Sequence, residues 1–386
     1  MFEVDSPQIL RSRPGAKWQR YGKDVLAMWV ADMDFPIAEP ITQAMRDVIS
    51  VGDLGYPMPT LAADVRQGFA ERMQRRYDWS IEPDDVILTQ DVIQAIQFVL
   101  RTCLDDGAGV AIQTPIYPPF LASLETTNCQ LVDNPWIRDG DSWTLDIEGL
   151  EQSCIAGEVQ ALLLCNPHNP MGRVMRRHEL EGLARLAVDY DLLVLSDEIH
   201  AEILHPGVWH IPIASLGPAI AERTVTFSSA SKPFNLAALR LAQMHTTSPQ
   251  VLAGLEELPN HSVGGLNIFG LTATKAAWAE GDDWLEAMQS LITTNRNLLG
   301  DLLAEHIPEI DYVKPEATYL GWLDGTALGL GDEVSKFFLD NAKVVGNRGL
   351  DFGENGAGCM RLNFATSSEV IERAIEQMAT ALAQRR

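Results

Sequence analysis

A chain of 386 residues with 53 acidic and 29 basic side chains carries a formal charge of −24, which opposes phosphodiester backbones and anionic lipid surfaces as main partners. With 46% hydrophobic and 21% charged residues, it has the make-up of an ordinary globular protein, long enough for two or three domains. The five cysteines (Cys103, Cys129, Cys154, Cys165, Cys359) are odd in number and scattered, without metal-ligand or redox spacing, so reduced thiols and no metal site are expected. The start, MFEVDSPQIL, lacks the basic and apolar regions of a signal peptide, and no apolar run approaches membrane-spanning length. The expectation is a cytoplasmic protein that binds neither membrane nor nucleic acid.

In chain order, the first fifty residues read as irregular, centred on MWVADMDFP (Met28 to Pro36), where Asp32 and Asp34 are turn residues on the plainest reading. From Leu61 the pattern alternates. A helix over Leu61–Tyr77 precedes a strand at Asp85–Leu88, then a helix over Val92–Leu104. Strands are expected again at Gly109–Ile112, Ala161–Cys165, Leu192–Ser196, Thr224–Phe227 and Leu241–Thr246, with helical stretches between most of them. Strands separated by helices imply crossover units and a largely parallel sheet. Beyond Gly281 the texture changes to a long helix (Trp284–His306), strand-like Thr318–Leu323, a helix near Asp332–Asn341, strand-like Met360–Phe364 and a last helix. That reads as a smaller α+β domain completed by the N-terminal segment. The expected division is 1–50 joining the small domain, 51–283 as the large domain and 284–386 as the small one.

The chemistry concentrates where strands end. TVTFSSASKPFNLAALR (Thr224 to Arg240) runs from a buried strand into Ser228, Ser229 and Ser231, then Lys232 and Arg240. This sets hydroxyls and one amine at a sheet rim, where open α/β sheets bind ligands. Desolvation lowers a lysine's proton affinity and leaves it nucleophilic, suited to a Schiff base, while the hydroxyls and Arg240 suit a phosphate. In LLVLSDEIH (Leu192 to His200) a buried strand delivers Asp197 to the rim, where a carboxylate is costly without a cation partner. The plain alternative is a turn cap, and for His200 a packed core histidine. CNPHNPMG (Cys165 to Gly172) leaves Asn169 at the sheet edge as an amide donor. Thr89-Gln90-Asp91-Val92-Ile93 marks a strand-to-helix junction whose free N–H groups form an anion site. Asp91 is its N-cap, with a side chain expected to turn away from the anion. Tyr117, between Pro115 and Pro118, offers an aromatic face. Arg361 in MRLNF needs an anion if buried, and its fork suits a carboxylate.

In this order, the motifs resemble those of fold type I pyridoxal 5′-phosphate (PLP) enzymes, the aspartate aminotransferase superfamily, over nearly the whole chain. The resemblance implies an α/β large domain, with a mixed and mostly parallel seven-stranded sheet flanked by helices, plus the smaller α+β domain. It also implies PLP as cofactor. Lys232 matches the lysine that binds it covalently and shuttles protons. Asp197 matches the carboxylate that keeps the pyridine nitrogen protonated, Asn169 the donor to the phenolic oxygen, and Tyr117 the ring stacked on the cofactor. Val92 and Ile93, through their amides, with Ser229 and Arg240, match phosphate ligands. Arg361 matches the clamp on the substrate α-carboxylate, and Asp32 stands with it on the substrate side. Tyr56, in LGYP, matches a tyrosine that reaches the phosphate of a neighbouring subunit, implying a homodimer with shared active sites. WVADMDF, the GYP step, SDEIH (with His200 beside the cofactor) and SKPFN resemble the bacterial cystathionine β-lyase (C–S lyase) branch. The resemblance therefore implies a C–S β-lyase that cleaves cystathionine or a related S-substituted L-cysteine, a small-molecule amino-acid substrate, to thiol, pyruvate and ammonia. An aminotransferase is the alternative reaction, and a regulator that keeps the fold is the alternative class.

Overall fold

The computed structural model describes residues 4–259, 262 and 264–385. Among these, the main sheet has seven strands. Across it they run Val86–Thr89, Ala242–Thr246, Thr224–Ser228, Leu193–Asp197, Ala161–Cys165, Gly109–Ile112 and Gln130–Asp133. Only Ala242–Thr246 runs against its neighbours, and the remaining pairings are parallel. The central strands are apolar on both faces (Ala161–Cys165 is buried throughout) because helices cover both sides. Helices Val92–Cys103 and Pro118–Thr126 pack one face around Ile96, Leu100 and Phe120. Helices Ile147–Ile155 and Arg177–Asp189 pack the other around Leu150, Leu183 and Leu186.

A second core joins both ends of the chain. A four-stranded sheet, in the order Asp311–Tyr312, Leu320–Asp324, Cys359–Asn363 and Asn347–Arg348, lies with helices Asp282–His306 and Ser368–Arg385. Leu26–Ala27 pairs in parallel with Val344–Val345, and the amide of Asn363 donates to the Met28 carbonyl (2.8 Å). The stretch expected as irregular is therefore partly regular: Glu39–Val51 is a helix, with Pro40 in its first turn and Gly52 as its left-handed C-cap (φ +74°). Ile41, Ala44, Met45 and Val48 follow its helical period, a pattern that was readable. The helix expected near Asp332–Asn341 is broken instead. Val334–Phe337 is its only α-helical turn, and Phe338–Ala342 widens to π geometry.

Candidate active site

Parallel strands end at a common rim, and this topology assembles the site. Asp197 closes its strand, Asn169 lies four residues beyond Cys165, Lys232 four beyond Ser228, and Val92 opens the helix after Thr89. The antiparallel Ala242–Thr246 strand starts at this rim, so Arg240 joins them although it precedes its strand. The result is a cavity of about 530 Å³ lined by Lys232, Asp197, Asn169, Tyr117 and His200. Val92, Ile93, Ser229 and Arg240 line it as well.

The Lys232 ammonium donates to the Ala31 carbonyl (3.0 Å). Burial depresses its proton affinity; the charge of Asp32 opposes this, Arg361 adds to it, and Asp197 opposes it. Asp197 is buried, and burial pushes its carboxyl up to about 7, with Glu198 adding to the rise. One of its oxygens accepts from the Ile199 amide (3.0 Å), so the turn-cap reading holds for that oxygen. Lys232, whose charge tempers the shift, belongs to the same group of charges. His200 is buried, and burial followed by the charges of Lys232 and Arg361 lowers it to about 3. It is a neutral imidazole at physiological pH, and among the described residues its Nδ1 has no hydrogen-bond partner.

Arg361 is buried and donates to Asn169 Oδ1 (2.8 Å), Asn347 Oδ1 (2.8 Å) and the Trp29 carbonyl (3.1 Å). Its Nε has no acceptor, and among the described residues no carboxylate pairs with it. A buried guanidinium held only by neutral oxygens is electrostatically incomplete. Because a guanidinium only donates, its bond fixes the Asn169 amide with Oδ1 toward Arg361, leaving Nδ2 as the free donor. Tyr117 occupies the N-cap position of Pro118–Thr126, edge-on to Phe120 at 6.2 Å. Burial raises its pKa, so its phenol stays protonated.

At the far end, Val92 and Ile93 are the first two residues of their helix, with no intrahelical acceptor for their N–H groups. The Ser229 hydroxyl donates to the Leu241 carbonyl (2.7 Å) and accepts from the Ser231 amide (3.0 Å). It shapes the loop more than it offers a free donor. Asp91 departs from expectation. Its carboxylate lines the cavity, caps the Gln94 amide (2.7 Å) and pairs with Arg240. A carboxylate is drawn to the same amides and cation that would bind an anion, and that attraction outweighs turning away.

Asp32, Tyr56 and Arg361 do not line the cavity, although Arg361 is bonded to Asn169, which does. Asp32 is part-buried and acts on Lys232 through its charge, whereas Tyr56 is fully exposed. The sequence reading passed over Tyr319 and Asn363. Tyr319 Oη donates to the Ala31 carbonyl (3.0 Å), and Asn363 Nδ2 donates to the carbonyls of Val30 (2.6 Å) and Asp32 (2.7 Å). They hold WVADMDF against Lys232. Asn363 lay within the quoted MRLNF motif, but nothing local marks Tyr319.

Comparison with known proteins agrees with this geometry. The family model for aminotransferase class I and II matches residues 23–378. Cystathionine beta-lyase PatB of Bacillus subtilis is 33% identical, over 95% of this chain and 96% of its own length. Cystathionine beta-lyase of Corynebacterium glutamicum is 30% identical over 97% and 98%. The crystal structure of cystalysin from Treponema denticola, which contains a pyridoxal 5′-phosphate cofactor, superposes with a TM-score of 0.94 at 27% identity, covering 100% of both chains. The chain belongs to the aminotransferase class I and II family.

Proposed function

We propose that this protein is a PLP-dependent carbon–sulfur β-lyase. Its substrate is cystathionine or a related S-substituted L-cysteine, which it converts with water to a thiol, pyruvate and ammonia. The observation that carries the PLP reading is the convergence of Lys232, Asp197 and Asn169 on one cavity, with the uncompensated Arg361 bonded to Asn169 behind it. The choice of elimination rests on the full-length likeness to two cystathionine β-lyases.

The residues fit the cofactor. Asp197, raised to about 7 with no stronger cation beside it than Lys232, suits a protonated pyridine nitrogen. The free Asn169 Nδ2 suits a phenolic oxygen, Tyr117 a ring face, and the Val92 and Ile93 amides with Arg240 a phosphate. When bound, PLP supplies a carbon for the substrate amine and a cationic ring that takes up the electron pair left at Cα.

The chain's own groups do the rest. Arg361 grips the substrate carboxylate with its fork, which fixes Cα over Lys232. Lys232, whose proton affinity burial depresses, is the base that takes the Cα proton. Asp197 as an anion holds the proton on the pyridine nitrogen. Asn169 stabilises negative charge on the phenolic oxygen, and neutral His200 beside it leaves Arg361 and Lys232 without a further cation. The thiolate leaves from Cβ, and Lys232, carrying the proton taken from Cα, can return it to the sulfur.

The same reading makes the protein a cytoplasmic homodimer, divided at 1–50, 51–283 and 284–386. Tyr56 completes the partner's phosphate site. Support comes from the exposure of Leu54, Tyr56 and Met58 together, from five free cysteines and from small-domain bonding to residues 26–34. Among the described residues no helix is long and apolar enough to cross a membrane.

An aminotransferase is the second reading, favoured by the match to the aminotransferase class I and II family model. Purified protein incubated with cystathionine separates the two. Pyruvate and thiol released without any 2-oxo acid establish the lyase, and strict dependence on an added 2-oxo acid establishes the transaminase.

A further inference from the structure

Two cations line the cavity, Lys232 and Arg240. Lys232 is reserved for the cofactor's carbonyl carbon, which leaves Arg240 to attract a phosphate. Arg240 is held in a left-handed conformation (φ +51°), unfavourable for a residue with a side chain. The loop is braced there by Asn267 Nδ2, which donates to the Leu239 carbonyl (2.6 Å). Its guanidinium nevertheless already has an anion, since Asp91 Oδ2 pairs with it. Asp91 Oδ1 meanwhile accepts from the Gln94 amide (2.7 Å). One carboxylate thus sits on the positive end of the helix and neutralises the other cation of the described lining. Its charge also reaches into the cavity as far as Tyr117.

We infer that Asp91 is a resident competitor for the phosphate subsite, occupying the helix start and Arg240 until a phosphate takes Arg240 from it. This rests on the PLP reading for the identity of the incoming group, but the competition concerns any phosphate. Placing a dianion against a fixed carboxylate costs affinity, so Asp91 sets how tightly the cofactor is held and how fast it leaves.

The test is Asp91→Asn in the full chain, freed of cofactor by dialysis against a carbonyl reagent. Asn caps a helix as well as Asp does, so the substitution removes charge and keeps the cap. Asp91→Ser, a second good cap, guards against an effect peculiar to Asn, and melting temperatures report that each variant is folded. Removing one like charge a few ångströms from a dianion should tighten PLP binding about tenfold, read by absorbance titration. Release from the loaded chain on dilution should slow, and the gain should shrink at high salt. Inorganic phosphate, read by thermal stabilisation of the cofactor-free chain, should gain affinity by a similar factor. If PLP binds wild type and both variants equally, or binds the variants more weakly, Asp91 only caps the helix and anchors Arg240, and the inference fails while the PLP reading stands. If no chain takes up PLP yet the variants gain phosphate affinity, the PLP reading fails and the competition stands. No gain for either probe refutes the competition.

Discussion

Asp197 occupies a position in which one oxygen serves the backbone of Ile199 and burial leaves the carboxylate in want of a cation. Asp197→Asn keeps the turn cap and removes the charge, so turnover should fall on the order of 100-fold or more while PLP is still bound. Steady-state rates at saturating cofactor check this, and near wild-type speed would reduce Asp197 to a cap. Arg361 has three neutral acceptors and, among the described residues, no carboxylate. Arg361→Lys keeps the charge but loses the fork, so kcat/KM for amino acids should fall well over tenfold. An unchanged value would make Arg361 structural. Both residues were legible because each is one charge in an apolar strand, a placement that needs a partner. Asp91 was half legible. Its capping role follows from the strand-to-helix junction, but its pairing with Arg240, 149 residues away, is invisible to local reasoning.

Buried strands could be read almost to the residue: Gly109–Ile112 and Ala161–Cys165 fall where their apolar runs lie. The edge strand Gln130–Asp133 was not read, since most of its residues are exposed and it carries no apolar run. Glu39–Val51 was missed despite its period because short unpatterned stretches precede it. That the N-terminal segment packs with the C-terminal elements was expected from the sequence, but the buried Arg72 at the edge of that core was not. Arg72, on helix Pro59–Tyr77, is buried and pairs with Glu202 and with Asp282 (3.0 Å), the first residue of helix Asp282–His306. Arg72→Leu leaves Glu202 nearly buried beside only Arg76. The cost should be about 3–5 kcal/mol, measured by urea unfolding. A loss below 1 kcal/mol would show that the ion pair contributes only surface-like stabilisation.

For the molecule as a whole, buried ionisable groups set the acid limit of stability. His168, His200 and His205 are lowered to about 3 and His245 to about 4, all chiefly by burial. Each is neutral when folded but takes a proton near pH 6.5 when unfolded. Stability is therefore fully present above about 6.5 and is lost as pH falls toward 4. Asp197 acts oppositely in the cofactor-free chain. It holds a proton between about 4 and about 7 that the unfolded state releases, so its contribution falls as pH rises. Four groups outweigh one. The melting temperature of the cofactor-free chain should drop between pH 6.5 and 4, and Asp197→Asn should steepen that drop; a flat profile would contradict this. The shared-site proposal predicts complementation. Mixed dimers of Lys232→Ala and Tyr56→Ala chains collect both lesions in one site, so refolded mixtures should regain up to about a quarter of wild-type activity when half the dimers are mixed. No gain over the separate variants would leave Tyr56 within its own subunit. The claim on which all this depends is that the amine at the end of Thr224–Ser228 carries the cofactor. It is tested most directly by borohydride reduction of the PLP-loaded protein followed by peptide mapping. The pyridoxyl group should be found on Lys232, and its appearance on Lys275 or any other lysine would contradict the account.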